Sequence, residues 1–243
     1  MTDKEEVWAQ VAKEHPEFTP AHDAAGNHHA VREIVLGGSV TWAGVWQRFE
    51  PRPGMKVMDV GANAGIFSAY CALHGADVVS YEPFADAFAI FSLMVHRTGL
   101  DERIKYRNAA IWTYSGECPY LGTASKLEDS PAYNGSVQSN GINWTVDDLC
   151  NAKRIKCVSL DEAVGEETWD MVKIDTEGSE CEILLAASLE TLRRIKFAYV
   201  EFHPWVSESL YKQTVARLEA VYNFQGAYWN SDIGRWEAAY LTL

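Results

Sequence analysis

The sequence predicts an α/β fold in which a mostly parallel sheet carries helices on both faces. Short apolar runs that are typical of buried strands recur along the chain, and segments with helical apolar spacing separate them. A glycine-rich turn follows the first of these runs. Because strands that alternate with helices build βαβ units, we expect most strands of this sheet to be parallel.

The first elements of this fold alternate closely. A strand candidate at residues 57–60 precedes a helix candidate at 66–74, and a second strand candidate lies at 78–81. A third strand is predicted at residues 104–112. Between the second and third strands, a helix that ends at Gly99 is indicated by the apolar residues Phe84, Phe88, Phe91 and Val95.

The second half of the chain continues the alternation. Strand candidates at residues 171–174 and 197–202 enclose a helix candidate at 179–187. The tail, residues 227–243, holds two strand candidates around a turn at 231–234, and we expect them to form an antiparallel edge pair. Before the tail, a further helix is indicated by the apolar stripe Tyr211, Val215, Leu218 and Tyr222.

The length of 243 residues fits one domain with additions. Residues 1–52 are polar and interrupted by proline and glycine, which predicts a helical N-terminal extension or flap. Residues 53–243 form the predicted domain. Within it, residues 113–157 contain two Asn-Gly pairs, which are strong hairpin signals, and are predicted to be a β-rich insertion.

Composition limits the partners and the location of the protein. The chain carries 34 Asp and Glu against 21 Lys and Arg, a formal net charge of −13, so we predict no nucleic-acid partner. No run of about 20 apolar residues occurs, which predicts no membrane span. The first residues do not resemble a signal peptide, so a cytoplasmic protein is expected. The oligomeric state has no signature in the sequence.

The most informative segment is the turn at residues 61–65. Its glycines let a ligand approach the backbone, and the helix that follows presents free N–H groups with partial positive charge. The dinucleotide-binding pattern requires glycine at its first, third and sixth positions, which here are Gly61, Asn63 and Ile66. Because two of these positions are not glycine, the turn disfavours a dinucleotide.

Two carboxylates accompany this turn. Glu82 follows the second strand candidate, 21 residues after Gly61, where a carboxylate can accept hydrogen bonds from both hydroxyls of a ribose. Asp59 precedes the turn and is expected to face the same crevice. A cofactor with a ribose, a carboxylate and a positive centre, but without a pyrophosphate, fits these groups. S-adenosyl-L-methionine has that set of groups.

Six segments of the chain resemble, in the same order, the successive motifs of FkbM-type methyltransferases. They are residues 57–68, 81–84, 108–111, 159–163, 170–180 and 199–203. The resemblance implies a class I S-adenosylmethionine-dependent fold with seven strands, the last of them antiparallel, so that residues 53–243 would be the methyltransferase domain. It also implies methylation, usually of a hydroxyl on a sugar or another natural product, so the expected partner is a small hydroxyl-bearing acceptor.

The same resemblance assigns cofactor contacts residue by residue. It implies that Glu82 binds the ribose and that Asn108 and Ala109 lie near the adenine. It further implies that the methionine end of the cofactor is lined by Asp59, Gly61, Asn63 and Gly65.

The catalytic candidates come from the carboxyl ends of the strands at 171–174 and 197–202, because open α/β sheets bind their ligands there. Asp175, Glu177, Glu201 and His203 stand at these ends, and Asp175, Glu201 and His203 are the predicted catalytic residues. His203 is the predicted base, since an ordinary histidine pKa of about 6.5 suits proton transfer at neutral pH. Asp175, Glu201 and His203 could also hold a divalent cation, but spacing gives no geometry, and we predict a site without a metal.

Two other functions share parts of this pattern. An NAD(P)-type oxidoreductase would use a similar fold, although the incomplete glycine pattern disfavours it. A non-catalytic module that binds an adenosyl cofactor would lack the acids at the later strand ends, yet Asp175 and Glu201 are present, as is His203.

Overall fold

The computed structural model of the chain describes residues 49–122, 135–137, 153–203, 206–230 and 234–243. The chain divides into two compact units, and every element given below belongs to the unit of residues 51–123 and 133–243. The other unit comprises residues 1–50 and 124–132. The predicted extension at residues 1–52 therefore lies outside the described residues except for its last four, and its boundary stays a prediction.

The described elements alternate between strands and helices. The strands are β1 (Lys56–Val60), β2 (Asp77–Tyr81), β3 (Ile104–Arg107), β4 (Ala110–Trp112), β5 (Gly116–Gly122), β6 (Gly135–Val137), β7 (Lys153–Ser159), β8 (Met171–Ile174), β9 (Phe197–Glu201), β10 (Asn223–Asn230) and β11 (Arg235–Thr242). The helices are α1 (Ile66–Leu73), α2 (Ala85–Thr98), α3 (Leu160–Val164), α4 (Glu180–Ala186), α5 (Leu189–Arg193) and α6 (Glu208–Glu219).

Seven strands form one sheet in the order β10-β11-β9-β8-β1-β2-β3. The five strands from β9 to β3 pair in parallel, whereas β11, the last strand of the chain, is antiparallel to both β9 and β10. From β1 the chain moves outward to β3, and from β8 it moves outward in the other direction. Because such crossovers are right-handed, helices cover both faces of the sheet. The predicted fold is confirmed, including the antiparallel edge pair.

The third predicted strand, residues 104–112, is two strands that belong to two sheets. Its first part, β3, pairs in parallel with β2, and its last part, β4, pairs in parallel with β7. Asn108 and Ala109 separate them. Apolar periodicity reports burial but not the pairing partner, so the break was not visible in the sequence.

A second, four-stranded sheet has the order β4-β7-β5-β6. The strands β5 and β6 and most of β7 lie in the segment that we predicted as a β-rich insertion, residues 113–157, and β5 pairs antiparallel with both of its neighbours. Residues 123–134 and 138–152 lie outside the described part of the chain, so the extent of the insertion stays a prediction.

The core lies between the large sheet and its helices. Val57, Met58 and Val60 are almost completely buried because β1 lies between β2 and β8 and is covered on both faces. Buried side chains of β8, α4 and α6 join the same apolar cluster. Among the described residues, no helix has the length and apolar character needed to cross a membrane.

The topology also places the site. The strand order reverses between β1 and β8, which are neighbours in the sheet although a long stretch of chain separates them. In open α/β sheets, ligands bind outside the carboxyl ends of the strands at such a reversal. The residues that follow β1, β2, β8 and β9 therefore surround one crevice.

Candidate functional site

The turn at residues 61–65 joins the end of β1 to α1 and contacts both neighbouring strands. The N–H groups of Gly61 and Ala62 each donate to the carbonyl oxygen of Tyr81 at 3.0 Å. Gly61 has a φ of +77°, and a Cβ atom there would overlap the carbonyl oxygen of Asp175. Gly65 also has a positive φ and packs against the ring of Phe91. The turn therefore follows its predicted path only with glycine at these two positions.

Glu82, the residue after β2, holds this turn in place. Its Oε2 atom accepts a hydrogen bond from the N–H group of Asn63 at 2.8 Å, and its Oε1 atom accepts one from Phe84 at 2.7 Å. Asn63 makes this contact with a left-handed φ of +51°, which asparagine tolerates. Burial raises the pKa of Glu82 to about 7, although both N–H groups favour the charged carboxylate. The structure thus brings Glu82 and Asn63 together.

Asn108 and Ala109 lie at the end of β3, next to the end of β2. The side chain of Asn108 donates to the carbonyl oxygen of Glu82 at 2.9 Å and to that of Pro83 at 3.2 Å. Ala109 is buried, and its N–H group donates to the carbonyl oxygen of Arg107. Asn108 therefore adjoins the backbone of Glu82, at the edge of the crevice where the resemblance put the adenine.

Asp59 lies inside the sheet and has no exposed surface. Its Oδ2 atom accepts a hydrogen bond from the Ser68 hydroxyl at 2.6 Å, and the Ser68 hydroxyl lies 2.8 Å from that of Ser80. Burial raises the pKa of Asp59, although nearby Lys173 opposes this effect. The expectation that Asp59 contacts a ligand directly stays a prediction, while its described contacts join α1 and β2 to β8.

Lys173 is a buried cation that the crevice acids share. Its Nζ atom lies 3.1 Å from Oδ2 of Asp175 and 3.5 Å from Oδ1 of Asp59, and it donates to the carbonyl oxygen of Gly61 at 3.0 Å. Burial alone would lower the pKa of Lys173, but the attraction of Asp175 and Asp59 outweighs it and raises that pKa. One charged side chain therefore touches both the turn after β1 and the acid after β8.

Asp175, Glu177 and His203 converge beside Lys173. The Nε2 atom of His203 lies 3.2 Å from Oε2 of Glu177 and 3.9 Å from Oδ1 of Asp175. Glu177 reaches this position with a φ of +57° in the turn between β8 and α4. Asp175 and Glu177 remain partly exposed, whereas His203 is buried. The structure therefore brings Asp175, Glu177 and His203 together, as expected for acids and a histidine at these strand ends.

His203 is held from its other side by Glu180, the first residue of α4. Oε1 of Glu180 lies 3.0 Å from Nδ1 of His203 and also accepts hydrogen bonds from Thr176 and Gly178. Burial would raise the pKa of Glu180, but the attraction of His203 and the hydrogen bonds lower it. Glu180 is therefore a buried carboxylate that fixes the orientation of the imidazole ring.

The pKa of His203 departs from the value on which its predicted role depended. Burial alone would lower the pKa of His203, but the surrounding carboxylates, led by Glu180, raise it to about 11. The carboxylate that faces each ring nitrogen therefore moves the pKa of His203 above the ordinary value assumed from the sequence. The pKa of Glu201, at the end of β9, is also raised, to about 8, but here burial and then the charge of Asp175 are the causes.

The sequence did not indicate the roles that Glu180, Ser68 and Ser80 have in this site. Glu180 carried a usable signal, because an acid in the first turn of a helix can accept N–H groups from the turn before it. The two serines belong to α1 and β2, and nothing in their spacing indicates that they meet Asp59.

The family model described as the Methyltransferase FkbM domain matches residues 59–224. A solved structure to which this chain is similar is methyltransferase FkbM from Methylobacillus flagellatus KT, with a TM-score of 0.53 and 15% identity over 97% of this chain and 60% of that one. The chain is also 26% identical, over a 180-residue alignment that covers 62% of it, to the AMB antimetabolite synthetase AmbE of Pseudomonas aeruginosa. It spans only 8% of that synthetase.

Proposed function

The chain belongs to the FkbM methyltransferase family, and from this we propose that it transfers a methyl group from S-adenosyl-L-methionine to a hydroxyl of a small acceptor, a sugar or another natural product. The observation that carries this proposal is the position of Lys173. Its ammonium contacts Gly61, in the predicted cofactor turn, and Asp175, a predicted catalytic acid. Donor and acceptor would therefore lie side by side at the ends of β1 and β8.

The residues at this crevice fit S-adenosylmethionine. A carboxylate offers about four lone-pair positions, and Glu82 uses one on each oxygen for backbone N–H groups, which leaves positions for two ribose hydroxyls. The glycine turn supplies backbone for the methionine end, and Asn108 and Ala109 flank the expected adenine side. When bound, the cofactor supplies a methyl group on a positively charged sulfur, which the surrounding acids favour.

Methyl transfer to a hydroxyl breaks the carbon–sulfur bond, forms a carbon–oxygen bond and releases the hydroxyl proton, for which the protein must supply an acceptor. We assign the binding of that hydroxyl to Asp175, Glu201 and His203. Without a bound cation, both ring nitrogens of His203 face carboxylates, so the ring keeps both protons and orients the hydroxyl. A carboxylate, Asp175 or Glu201, takes the proton.

The similarity to one relative and the net charge of the chain both support a natural-product acceptor that is not polyanionic. The similarity to a segment of an antimetabolite synthetase supports a natural-product acceptor. The net charge of −13 disfavours a polyanionic acceptor, because like charges repel it from the crevice.

Ligand binding tests the cofactor assignment. S-adenosylmethionine and S-adenosylhomocysteine should raise the melting temperature of the protein, and NADH should not. We expect Glu82→Ala to weaken cofactor binding at least about tenfold, since it removes two charged-group hydrogen-bond acceptors, whereas His203→Ala should retain cofactor affinity and lower turnover. The exposed Glu166→Gln variant is the control. A shift with NADH alone would support the oxidoreductase alternative and overturn the proposal.

Incubation with isotope-labelled S-adenosylmethionine and a panel of sugars and hydroxylated natural products tests the reaction itself. Stoichiometric release of S-adenosylhomocysteine with a labelled methyl ether is the expected result. Cofactor binding without transfer to any hydroxyl, or transfer to nitrogen or carbon, would contradict the O-methyltransferase assignment.

A further inference from the structure

We propose that Asp175, Glu177 and His203 form a binding site for one divalent cation of the Mn²⁺ and Mg²⁺ class. The role that we give this cation, contact with the acceptor oxygen, rests on the proposed function, but its binding does not. The sequence led us to expect a site without a metal, because the spacing of Asp175, Glu201 and His203 contains no geometry. The set that the structure brings together contains Glu177 in place of Glu201. The structure supplies that geometry.

The three ligand atoms are close enough to share one ion. They lie within 4.8 Å of one another, with Nε2 of His203 at 3.2 Å from the Glu177 carboxylate and 3.9 Å from the Asp175 carboxylate. Two atoms that each lie about 2.1 Å from one ion are separated by about 3.0 Å at a right angle and about 4.2 Å across the ion. The two separations from His203 fall inside this interval, so His203 and each of the two carboxylates can share one ion with little rearrangement.

The orientation of His203 is an independent indication. Histidines that bind metals almost always hold their second ring nitrogen against a carboxylate or carbonyl, which fixes the ring. Here fully buried Glu180 holds Nδ1 of His203 and is itself fixed by donors from the turn before α4, so that Nε2 points to Asp175 and Glu177. A cation would take the place of the proton on Nε2.

The local charge also favours the binding of a cation. The carboxylates of Asp175, Glu177 and Glu180 surround His203. Among the described residues, the cations beside them are His203 itself and Lys173, which also pairs with Asp59. The Oε2 atom of Glu180 is buried and accepts no hydrogen bond from the described residues. Negative charge in this cluster is therefore incompletely balanced, and a divalent cation would offset it.

The ligand set selects the kind of cation. Two carboxylates are hard oxygen ligands, which suit Mg²⁺ and Mn²⁺, and a single imidazole favours a first-row transition ion over Mg²⁺. Mn²⁺ accepts both ligand types. The partial exposure of Asp175 and Glu177 leaves coordination positions open to water or to an acceptor hydroxyl. A cation there would lower the pKa of that hydroxyl, and a neighbouring carboxylate would receive its proton.

Binding of Mn²⁺ to the chelator-treated, cofactor-free protein tests the site directly. Titration followed by electron paramagnetic resonance should show one saturable Mn²⁺ site per chain from which Mg²⁺ competes. Asp175→Asn and Glu177→Gln should each weaken Mn²⁺ binding at least about tenfold, and Glu180→Gln should weaken it by a similar factor through loss of ring orientation. Glu166→Gln, remote from the site and exposed, is the matched control.

A spectroscopic measurement distinguishes loss of the metal site from misfolding of a variant. In the unmutated protein, pulsed electron paramagnetic resonance should detect coupling of Mn²⁺ to an imidazole nitrogen, and His203→Gln should abolish that coupling while circular dichroism remains unchanged. Absence of saturable Mn²⁺ binding, or binding without nitrogen coupling, would overturn the site.

Failure of the site and failure of the proposed function are distinguishable. Mn²⁺ binding by a protein that does not bind S-adenosylmethionine would reject the proposed function and leave the metal site standing. Methyl transfer that chelator does not lower, in a protein that binds Mn²⁺, would reject the assigned role of the cation. We expect chelator to lower the transfer rate and Mn²⁺ to restore it.

Discussion

Asp59 and Lys173 are register partners in the parallel pairing of β1 with β8, and their side chains form a fully buried ion pair. Register continues the row on both sides, because Ser80 of β2 is opposite Asp59 and Tyr199 of β9 is opposite Lys173. All four residues are almost completely buried. A row of polar groups thus crosses the centre of an otherwise apolar sheet, directly below the site.

The buried cation in this row is expected to contribute strongly to stability. Lys173→Met leaves Asp59 and Asp175 without their shared partner, and removing one member of a buried ion pair costs about 3 to 5 kcal/mol. Urea unfolding followed by circular dichroism measures the loss. The double variant Lys173→Met/Asp59→Asn should recover part of it, because the second change removes an unpaired buried charge. A loss below about 1 kcal/mol for the single variant would contradict the ion pair.

Two glycines with positive φ provide a matched test of the turn. Gly61→Ala and Gly99→Ala both place a Cβ atom on a left-handed residue, but only at position 61 would it overlap backbone, whereas nothing lies within 4 Å at position 99. Gly99→Ala should therefore lower the free energy of unfolding by about 1 to 2 kcal/mol, the usual cost of alanine in the left-handed conformation. Gly61→Ala should cost clearly more in urea unfolding and should also abolish cofactor binding. Equal losses of stability in the two variants would contradict the close contact between Gly61 and the backbone of Asp175.

The pKa of Glu82 predicts how cofactor affinity depends on pH. In the proposed function, ribose hydroxyls would donate to the carboxylate, so binding would favour its charged form, and the pKa of Glu82 is raised to about 7. The dissociation constant for S-adenosylmethionine should therefore fall about tenfold between roughly pH 6 and pH 8. Calorimetric titration measures it. Glu82→Gln should bind more weakly and lack this dependence, and an identical slope in both proteins would assign the effect to ionisation of the ligand.

The same carboxyl group predicts a pH dependence of stability without any ligand. The pKa of Glu82 in the folded protein is about 7, above its model-peptide value of 4.5. Its contribution to the free energy of unfolding is therefore fully present below 4.5 and is lost as the pH rises through about 7. Relative to Glu82→Gln, the unmutated protein should lose roughly 2 to 3 kcal/mol between about pH 5 and pH 8. If the difference in free energy of unfolding between the two proteins stayed the same from about pH 5 to pH 8, burial would not raise the pKa of Glu82.

The sequence predicts the large sheet well because its strands carry strong local signals. Apolar runs that end in glycine turns or acids locate β1, β2, β8 and β9. The helices α3 and α5 were missed, although each begins after a serine whose hydroxyl accepts an N–H group in the first turn, Ser159 for α3 and Ser188 for α5. Both helices have only five residues, which is too short for an apolar period to emerge.

The site was predictable only where chain order and strand ends determine it. Asp175, Glu82 and His203 follow strands, so the rule for open sheets brings them to one crevice. The pKa of His203 could not be anticipated, because it depends on Glu180, which reaches the ring from the next helix. Charge environment is a property of contacts, and sequence spacing does not contain those contacts.

The small sheet pairs two residues that lie far apart in the sequence, because Ala110 of β4 is the register partner of Cys157 of β7. A long stretch of the sequence separates these two paired residues, and the entropic cost of closing such a stretch grows only slowly with its length. Insertions between Ala110 and Cys157 should therefore cost little stability, because the pairing of β4 with β7 closes the stretch whatever its length. The sequence between the two strands is thus free to change in length while β1, β8 and the residues that follow them stay in place.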